Sequence, residues 1–159
     1  MFEDVRDLYN ADIVRRGRHP VHMHRLAAFD ATAKGDNPMC GDRVELWLKY
    51  ASDGAIGEVG FEARGCEISR ASADLMVEAV AGQAPSDTRR LFAAFRTMVQ
   101  TGACPACDPA DAPALDTLRP LASVHEYPSR VKCATLPWHA LIAALDGEHP
   151  RGGAAASSE

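Results

Sequence analysis

Val44-Glu45-Leu46-Trp47-Leu48-Lys49-Tyr50, Ser52-Asp53-Gly54, Ile56-Gly57-Glu58-Val59-Gly60-Phe61-Glu62-Ala63 and Gly65-Cys66-Glu67-Ile68-Ser69 follow one another almost without a break. In the first run Val44, Leu46, Leu48 and Tyr50 alternate with Glu45, Trp47 and Lys49, the period-2 signature of a half-buried strand. Asp-Gly accepts the positive φ angles of a tight hairpin turn. The chain then returns as a second strand with Val59, Phe61 and Ala63 on one face. After Gly65-Cys66 the period changes. Ile68, Ala71, Ser72, Leu75, Met76 and Ala79 recur at helical spacing. The stretch therefore reads as an antiparallel hairpin that leads straight into a helix.

Outward from this stretch the helical pattern dominates. Val5, Leu8, Tyr9, Ile13 and Val14 predict a helix from Val5 to about Arg16, ended by His19-Pro20. Val21 to Gly35 gives no clear signal. Gly82 is a natural stop for the helix after Cys66. Another helix is expected from Ser86 to Gln100 on Leu91, Phe92, Phe95, Met98 and Val99. Prolines 105, 109, 113 and 120 break up residues 102–120, so an irregular insertion with one short helical turn near Leu115 is expected. A final helix is expected from Thr135 to Leu145, with Thr135 as N-cap and Pro137 in the first turn. One domain over residues 1–146 and a disordered Gly/Ala/Ser tail over 147–159 complete the reading.

The totals narrow the function. The chain has 159 residues, 47% hydrophobic and 25% charged, in the range of soluble globular domains. A net charge of −5 argues against nucleic acid as a partner, because phosphate binding needs a basic face. No apolar run approaches the roughly 20 residues of a membrane span, so no membrane role is expected. The acidic start Met1-Phe2-Glu3-Asp4 lacks the features of a secretory signal. A cytoplasmic location follows as the expectation, and there five cysteines point to metal or redox chemistry, not to a disulfide framework.

Three of the cysteines stand in distinct settings: Asn37-Pro38-Met39-Cys40-Gly41-Asp42, Gly65-Cys66-Glu67, and Arg130-Val131-Lys132-Cys133-Ala134-Thr135. Cys40 and Cys66 lie just outside opposite ends of the hairpin, and antiparallel pairing brings those ends together. Cys66 and Cys133 are both expected at helix starts, where free N–H groups favour a thiolate. Asp42, two residues after Cys40, reaches the same centre. Three thiolates and one carboxylate suffice for a four-coordinate zinc site or an iron–sulfur cluster. An oxygen among sulfurs makes a more exchangeable site than four cysteines would.

Three motifs together carry a resemblance. They are Asn37-Pro38-Met39-Cys40-Gly41-Asp42, Gly65-Cys66-Glu67-Ile68-Ser69-Arg70-Ala71-Ser72-Ala73-Asp74-Leu75-Met76, and Tyr127-Pro128-Ser129-Arg130-Val131-Lys132-Cys133-Ala134-Thr135-Leu136-Pro137-Trp138. Over about residues 5–146 the chain resembles NifU/IscU-type iron–sulfur assembly proteins, most closely the SufU branch. The resemblance implies an α+β fold, a small antiparallel sheet with helices packed on it, of the SufE/NifU-like kind. It implies that Cys40, Asp42, Cys66 and Cys133 bind Zn²⁺ or hold a transient [2Fe–2S] cluster. It further implies that Cys40 accepts sulfur from a SufS-like cysteine desulfurase, and that other iron–sulfur assembly proteins or apoproteins are partners. The two functional readings are a zinc-dependent sulfurtransferase and a non-enzymatic scaffold that hands over a cluster.

The branch is chosen by two features. The IscU branch carries a histidine just before the last cysteine, whereas this chain has Lys132, and a protonated lysine cannot ligate a metal. The insertion over 102–120 lengthens the segment between the second and third cysteines, as in the SufU branch. The proline-rich chaperone-binding segment of the IscU branch is not recognisable.

Other residues read more plainly. Cys104-Pro105-Ala106-Cys107 is a C-x-x-C that reads as a metal half-site or a redox pair, but no second pair stands near it, and the resemblance does not supply it. His19, His22 and His24 read as solvated loop residues, and His125, His139 and His149 are isolated. Arg130 and Lys132 flank Cys133 either as surface charges or as residues that favour its thiolate or meet an acidic partner. Trp47 and Trp138 read as packing residues or interface anchors.

Overall fold

Asp42–Tyr50 (β2) and Ile56–Arg64 (β3) pair antiparallel in this computed structural model, which describes residues 11–38 and 41–147. Gly54 takes φ 88° in the turn between them. A third strand, Ala31–Asn37 (β1), pairs antiparallel with β2 on its other side, giving the order β1-β2-β3. The helices are Ala11–Arg18 (α1), Glu67–Val80 (α2), Pro85–Thr101 (α3), Ala112–Leu118 (α4) and Pro128–Leu145 (α5). Short 3₁₀ segments, Pro109–Asp111 and Arg119–Glu126, bracket α4. The fold is α+β, a small antiparallel sheet with helices against it.

Val44, Leu46 and Leu48 on β2 and Val59, Phe61 and Ala63 on β3 bury the inner face of the sheet against α2 and α5. Trp138 on α5 sits at the centre, stacked on Phe95 with ring centroids 4.9 Å apart and on Phe92 at 5.9 Å. Such offset aromatic pairs add about 0.5–1.5 kcal/mol beyond area burial. Ser72 on α2 donates from Oγ to Ala134 O on α5 at 2.5 Å, and so ties the two helices that flank the cysteines.

Several local features go beyond the sequence reading or correct it. β1 carries no hydrophobic alternation, because Ala31-Thr32-Ala33-Lys34-Gly35-Asp36-Asn37 is small and polar. It is a strand because β2 offers it an edge, with Asn37 opposite Asp42 and Ala33 opposite Leu46. Trp47 lies on the outer face yet is only 1% exposed. The segment before β1 crosses that face: Arg25 stacks over the Trp47 ring at 5.1 Å and Leu26 is buried beside it. Gly60, the register partner of Trp47, lets this segment approach, since a Cβ there would lie 2.5 Å from His24 O.

The last helix begins seven residues before the expected Thr135, at Pro128, a residue suited to a first helical turn. Thr135 is therefore not an N-cap; its Oγ1 donates back to Val131 O at 3.2 Å. Pro137 lies in the helix interior, where its missing N–H forfeits one backbone bond, to the carbonyl of Cys133. The expected helix over Val5–Arg16 is described from Ala11 and ends at Arg18; its earlier residues and the tail beyond residue 147 lie outside the described residues. Among the described residues no helix is long and apolar enough to cross a membrane.

Candidate metal centre

The hairpin register sets the centre. Arg43 pairs with Arg64, so Asp42 at the start of β2 stands beside Gly65 at the end of β3. Cys66 follows at once as the residue preceding α2, with extended φ −74°, ψ 161°. Gly65 has φ +121°, and a Cβ at that position would collide with Asp42 Oδ1. A side chain there would be both strained and in the place of the carboxylate. With only hydrogen at Gly65, the buried Asp42 Oδ1 accepts the Cys66 N–H at 2.9 Å. Its Oδ2 lies 3.6 Å from Cys66 Sγ.

Cys133 arrives from the other side, on the second turn of α5, which packs on β1, β2 and α2. The ligand atoms of Asp42, Cys66 and Cys133 all lie within 4.8 Å of one another. Asp42 and Cys133 are buried and Cys66 is half-buried. Cys40 lies outside the described residues.

The two thiols titrate in opposite directions. Cys66 is held below the ordinary thiol value by a hydrogen bond from Cys133, opposed by burial and helped by the Ser69 and Ile68 N–H groups of the first α2 turn. Cys133 is pushed far above the ordinary value because it donates to Cys66, is buried, and faces the Asp42 carboxylate. Cys133 is thus not at a helix start and receives no help from free N–H groups, contrary to the sequence expectation. Two sulfurs and a carboxylate pressed together around one point are a crowd of anions or potential anions. A cation at that point would relieve the repulsion and take the lone pairs, so the donor set suits a bound metal.

The remaining residues fall elsewhere. Lys132 is exposed. His22 Nε2 lies 3.0 Å from Glu78, which also pairs with Arg16; Arg16 in turn reaches the buried Asp74 at 2.7 Å. These groups lock α1 onto α2. His125 Nδ1–H donates to Ala122 O at 2.8 Å, and His139 packs edge-on against Phe92. Trp47 and Trp138 are both packing residues, 1% and 0% exposed. Cys104 and Cys107 are brought together at the end of α3, with Cα atoms 5.4 Å apart and their sulfurs bridged. Sequence reasoning passed over Gly65 as a site residue. The signal was present, since Gly-Cys directly after a strand demands an explanation for the glycine.

One carboxylate and two thiols, gathered where a hairpin meets two helices, form a group that could hold a metal ion. Residues 8–134 match the NifU-like N terminal domain, and the chain belongs to that family. It is 35% identical over 138 residues, 87% of this chain and 82% of the other, to the iron-sulfur cluster assembly scaffold protein IscU of Streptococcus pyogenes serotype M1. It is 36% identical over 106 residues, 67% of this chain and 68% of the other, to the zinc-dependent sulfurtransferase SufU of Bacillus subtilis. Among solved structures it superposes with a TM-score of 0.76 and 27% identity on a candidate scaffold protein of the SUF system from Fervidobacterium islandicum, covering 89% of this chain and 99% of that one.

Proposed function

We propose that this protein is a SufU-like sulfur acceptor of iron–sulfur cluster assembly, holding zinc through Cys40, Asp42, Cys66 and Cys133. The observation that carries the reading is the buried Asp42 carboxylate, fixed by the Cys66 N–H and placed within 4.8 Å of the Cys66 and Cys133 sulfurs. Bound Zn²⁺ would hold the thiolates deprotonated and shielded from oxidation. Each residue has a distinct part. Asp42 spends Oδ1 on the backbone and presents Oδ2. Cys66 presents a thiolate at a helix N-terminus. Cys133 is the thiol that must lose its proton on binding, so uptake releases acid.

Cys40 is two residues before Asp42 on the chain and is the sulfur acceptor. Its thiolate attacks the outer sulfur of a persulfide on a docked, SufS-like cysteine desulfurase. The enzyme's cysteine leaves as thiolate, and the sulfane sulfur stays on Cys40. The names of the two relatives support the two variants of this role, zinc-dependent sulfur transfer and scaffolding. The second variant, assembly of a transient [2Fe–2S] cluster on the same residues, draws on the scaffold naming of the IscU relative. Lys132, in place of a ligating histidine, favours the first.

The test is metal and acid-labile sulfide content of anaerobically purified protein, followed by a desulfurase assay with Cys40→Ala. About one zinc per chain without sulfide, and loss of desulfurase stimulation in the variant, are the expected results. Iron with matching sulfide would transfer the role to the scaffold. Full stimulation by Cys40→Ala would sink sulfur acceptance at Cys40.

A further inference from the structure

Cys104 and Cys107 take no part in the chemistry above, yet the fold holds them as a prepared pair. α3 closes at Gly102, whose N–H donates to Met98 O at 2.7 Å. The next residues turn sharply, with Cys107 N–H donating to Cys104 O at 3.2 Å across Pro105-Ala106. Proline presets φ at the second position of such a turn. The far side of the turn is pinned as well. Asp108 caps the 3₁₀ segment by accepting the Ala110 N–H at 2.9 Å. The buried Asp111 takes two bonds from Arg90 on α3, each 3.0 Å. Both ends of the turn are therefore tied to α3.

The Cα separation of 5.4 Å lies inside the range a disulfide spans without backbone movement. Reduced and oxidised pairs thus fit the same backbone. Both cysteines are half-buried, so a small reactant reaches them. Beside them a groove of about 370 Å³ runs along α3, walled by Arg90, Ala93, Ala94 and Thr97. Its alanines leave room for a departing thiol. The only grouped metal ligands among the described residues are Asp42, Cys66 and Cys133, so this pair has no third ligand atom to make a metal site.

We propose that Cys104 and Cys107 are a two-electron thiol-exchange site that attacks sulfur–sulfur bonds. One thiolate attacks a sulfur of the incoming S–S bond and a leaving group departs; the second thiolate attacks the first cysteine's sulfur and expels the remainder. With a disulfide RSSR the products are two RSH and the Cys104–Cys107 bridge. With a persulfide RSSH they are RSH, H₂S and the same bridge. In each case the two cysteines lose two electrons and two protons, and the incoming S–S bond gains them. The turn holds the second thiol in place, so bridging outpaces escape of the mixed species. The persulfide route rests on the sulfur-acceptor reading; the disulfide route does not.

The test uses full-length, reduced, zinc-loaded protein in two arms, one with glutathione disulfide and one with glutathione persulfide. After blocking with N-ethylmaleimide, intact mass and peptide mapping read the bridge, and a sulfide assay reads H₂S. Expected are a bridged 104–107 peptide in both arms and about one sulfide per chain in the second. Cys107→Ser should stop at a stable mixed disulfide on Cys104 in the first arm. Full maleimide labelling of both cysteines in both arms would overturn the site. Sulfide release unchanged in Cys104→Ser/Cys107→Ser would overturn the persulfide source. Desulfurase stimulation is measured in parallel. Its absence with bridging intact strikes only the sulfur-acceptor reading; bridging absent with stimulation intact strikes only this site.

Discussion

Cys66 and Cys133 face one another across the same centre, but their helices treat them differently. Cys66 accepts a hydrogen bond from Cys133 and, standing before α2, meets the Ser69 and Ile68 N–H groups as well, so its thiolate is favoured. Cys133 lies inside α5, buried, donating to Cys66 and facing Asp42, so its thiol form is favoured. One residue type thus gives a ready anion and a held proton within 4.8 Å. The difference teaches that the hydrogen bond between the two sulfurs decides which thiol keeps its proton, with the helix end helping Cys66 and burial beside Asp42 holding the proton on Cys133. It also makes Asp42 the hinge of the pair, because it steadies the Cys66 backbone while opposing ionisation of Cys133.

Breaking that hinge should have the largest effect. Asp42→Ala is expected to weaken zinc binding by more than the roughly 10–100-fold that changes to outer-shell partners cost, read by competition with a chromophoric chelator. It should also cost about 1–3 kcal/mol in metal-free protein by leaving the Cys66 N–H without its acceptor. Asp42→Asn, which keeps an oxygen for that N–H, should lose the metal but retain more of the stability. Equal zinc affinity in both variants and wild type would remove Asp42 from the centre.

Gly65→Ala comes next. Positive φ and collision with Asp42 Oδ1 together predict a loss of about 1–3 kcal/mol, measured by urea unfolding of metal-free protein. Cobalt substituted for zinc should show an altered visible spectrum, since the carboxylate has to move. A normal spectrum and normal stability would mean that Gly65 merely tolerates its neighbour.

The opposed thiols give a pH test in metal-free protein. Cys66 has a lowered value, so its contribution is present above the ordinary thiol range and fades as pH falls through its folded value. Cys133 has a raised value, so its contribution is present below the ordinary thiol range and fades as pH rises through it. Stability should rise towards the ordinary thiol pKa and fall beyond it, each limb no steeper than about 1.4 kcal/mol per pH unit. Cys133→Ser should remove the alkaline fall. A stability curve that is flat across this range in wild type would contradict the proton arrangement. Bound zinc, which needs both thiolates in the folded state, should remove the alkaline fall and steepen the rise on the acid side.

The smallest effect is expected from Lys132→Ala. Lys132 is exposed, so its loss should change stability by less than about 0.5 kcal/mol and leave zinc affinity unaltered. A large loss of affinity would show that its charge acts on Cys133 after all.

Much of this was legible in the chain. The β2–β3 alternation, the Asp53-Gly54 turn and the helical spacing after Cys66 each rest on local patterns, and each stands in the structure. The meeting of Asp42 with Cys66 also followed, because a hairpin returns its ends to one place. β1 was hidden because its seven residues are too small and polar to show a period. The burial of Trp47 was hidden because it depends on a segment some twenty residues earlier, with Arg25 and Leu26 crossing the sheet. Pro137 misled by its position: proline is commoner in a first turn, and here the gain from burying the rest of α5 outweighs one lost backbone bond.

The sequence by itself determined the hairpin, the helix that follows it and the family, since spacing and residue type are written along the chain. The tertiary structure alone decided that Cys66 begins a helix while Cys133 sits inside one, that Gly65 clears space for Asp42, and that Cys104 and Cys107 share a turn pinned to α3. Proton positions, desolvation and close approach depend on what lies across the core, and a one-dimensional pattern carries no distance between residues far apart in it.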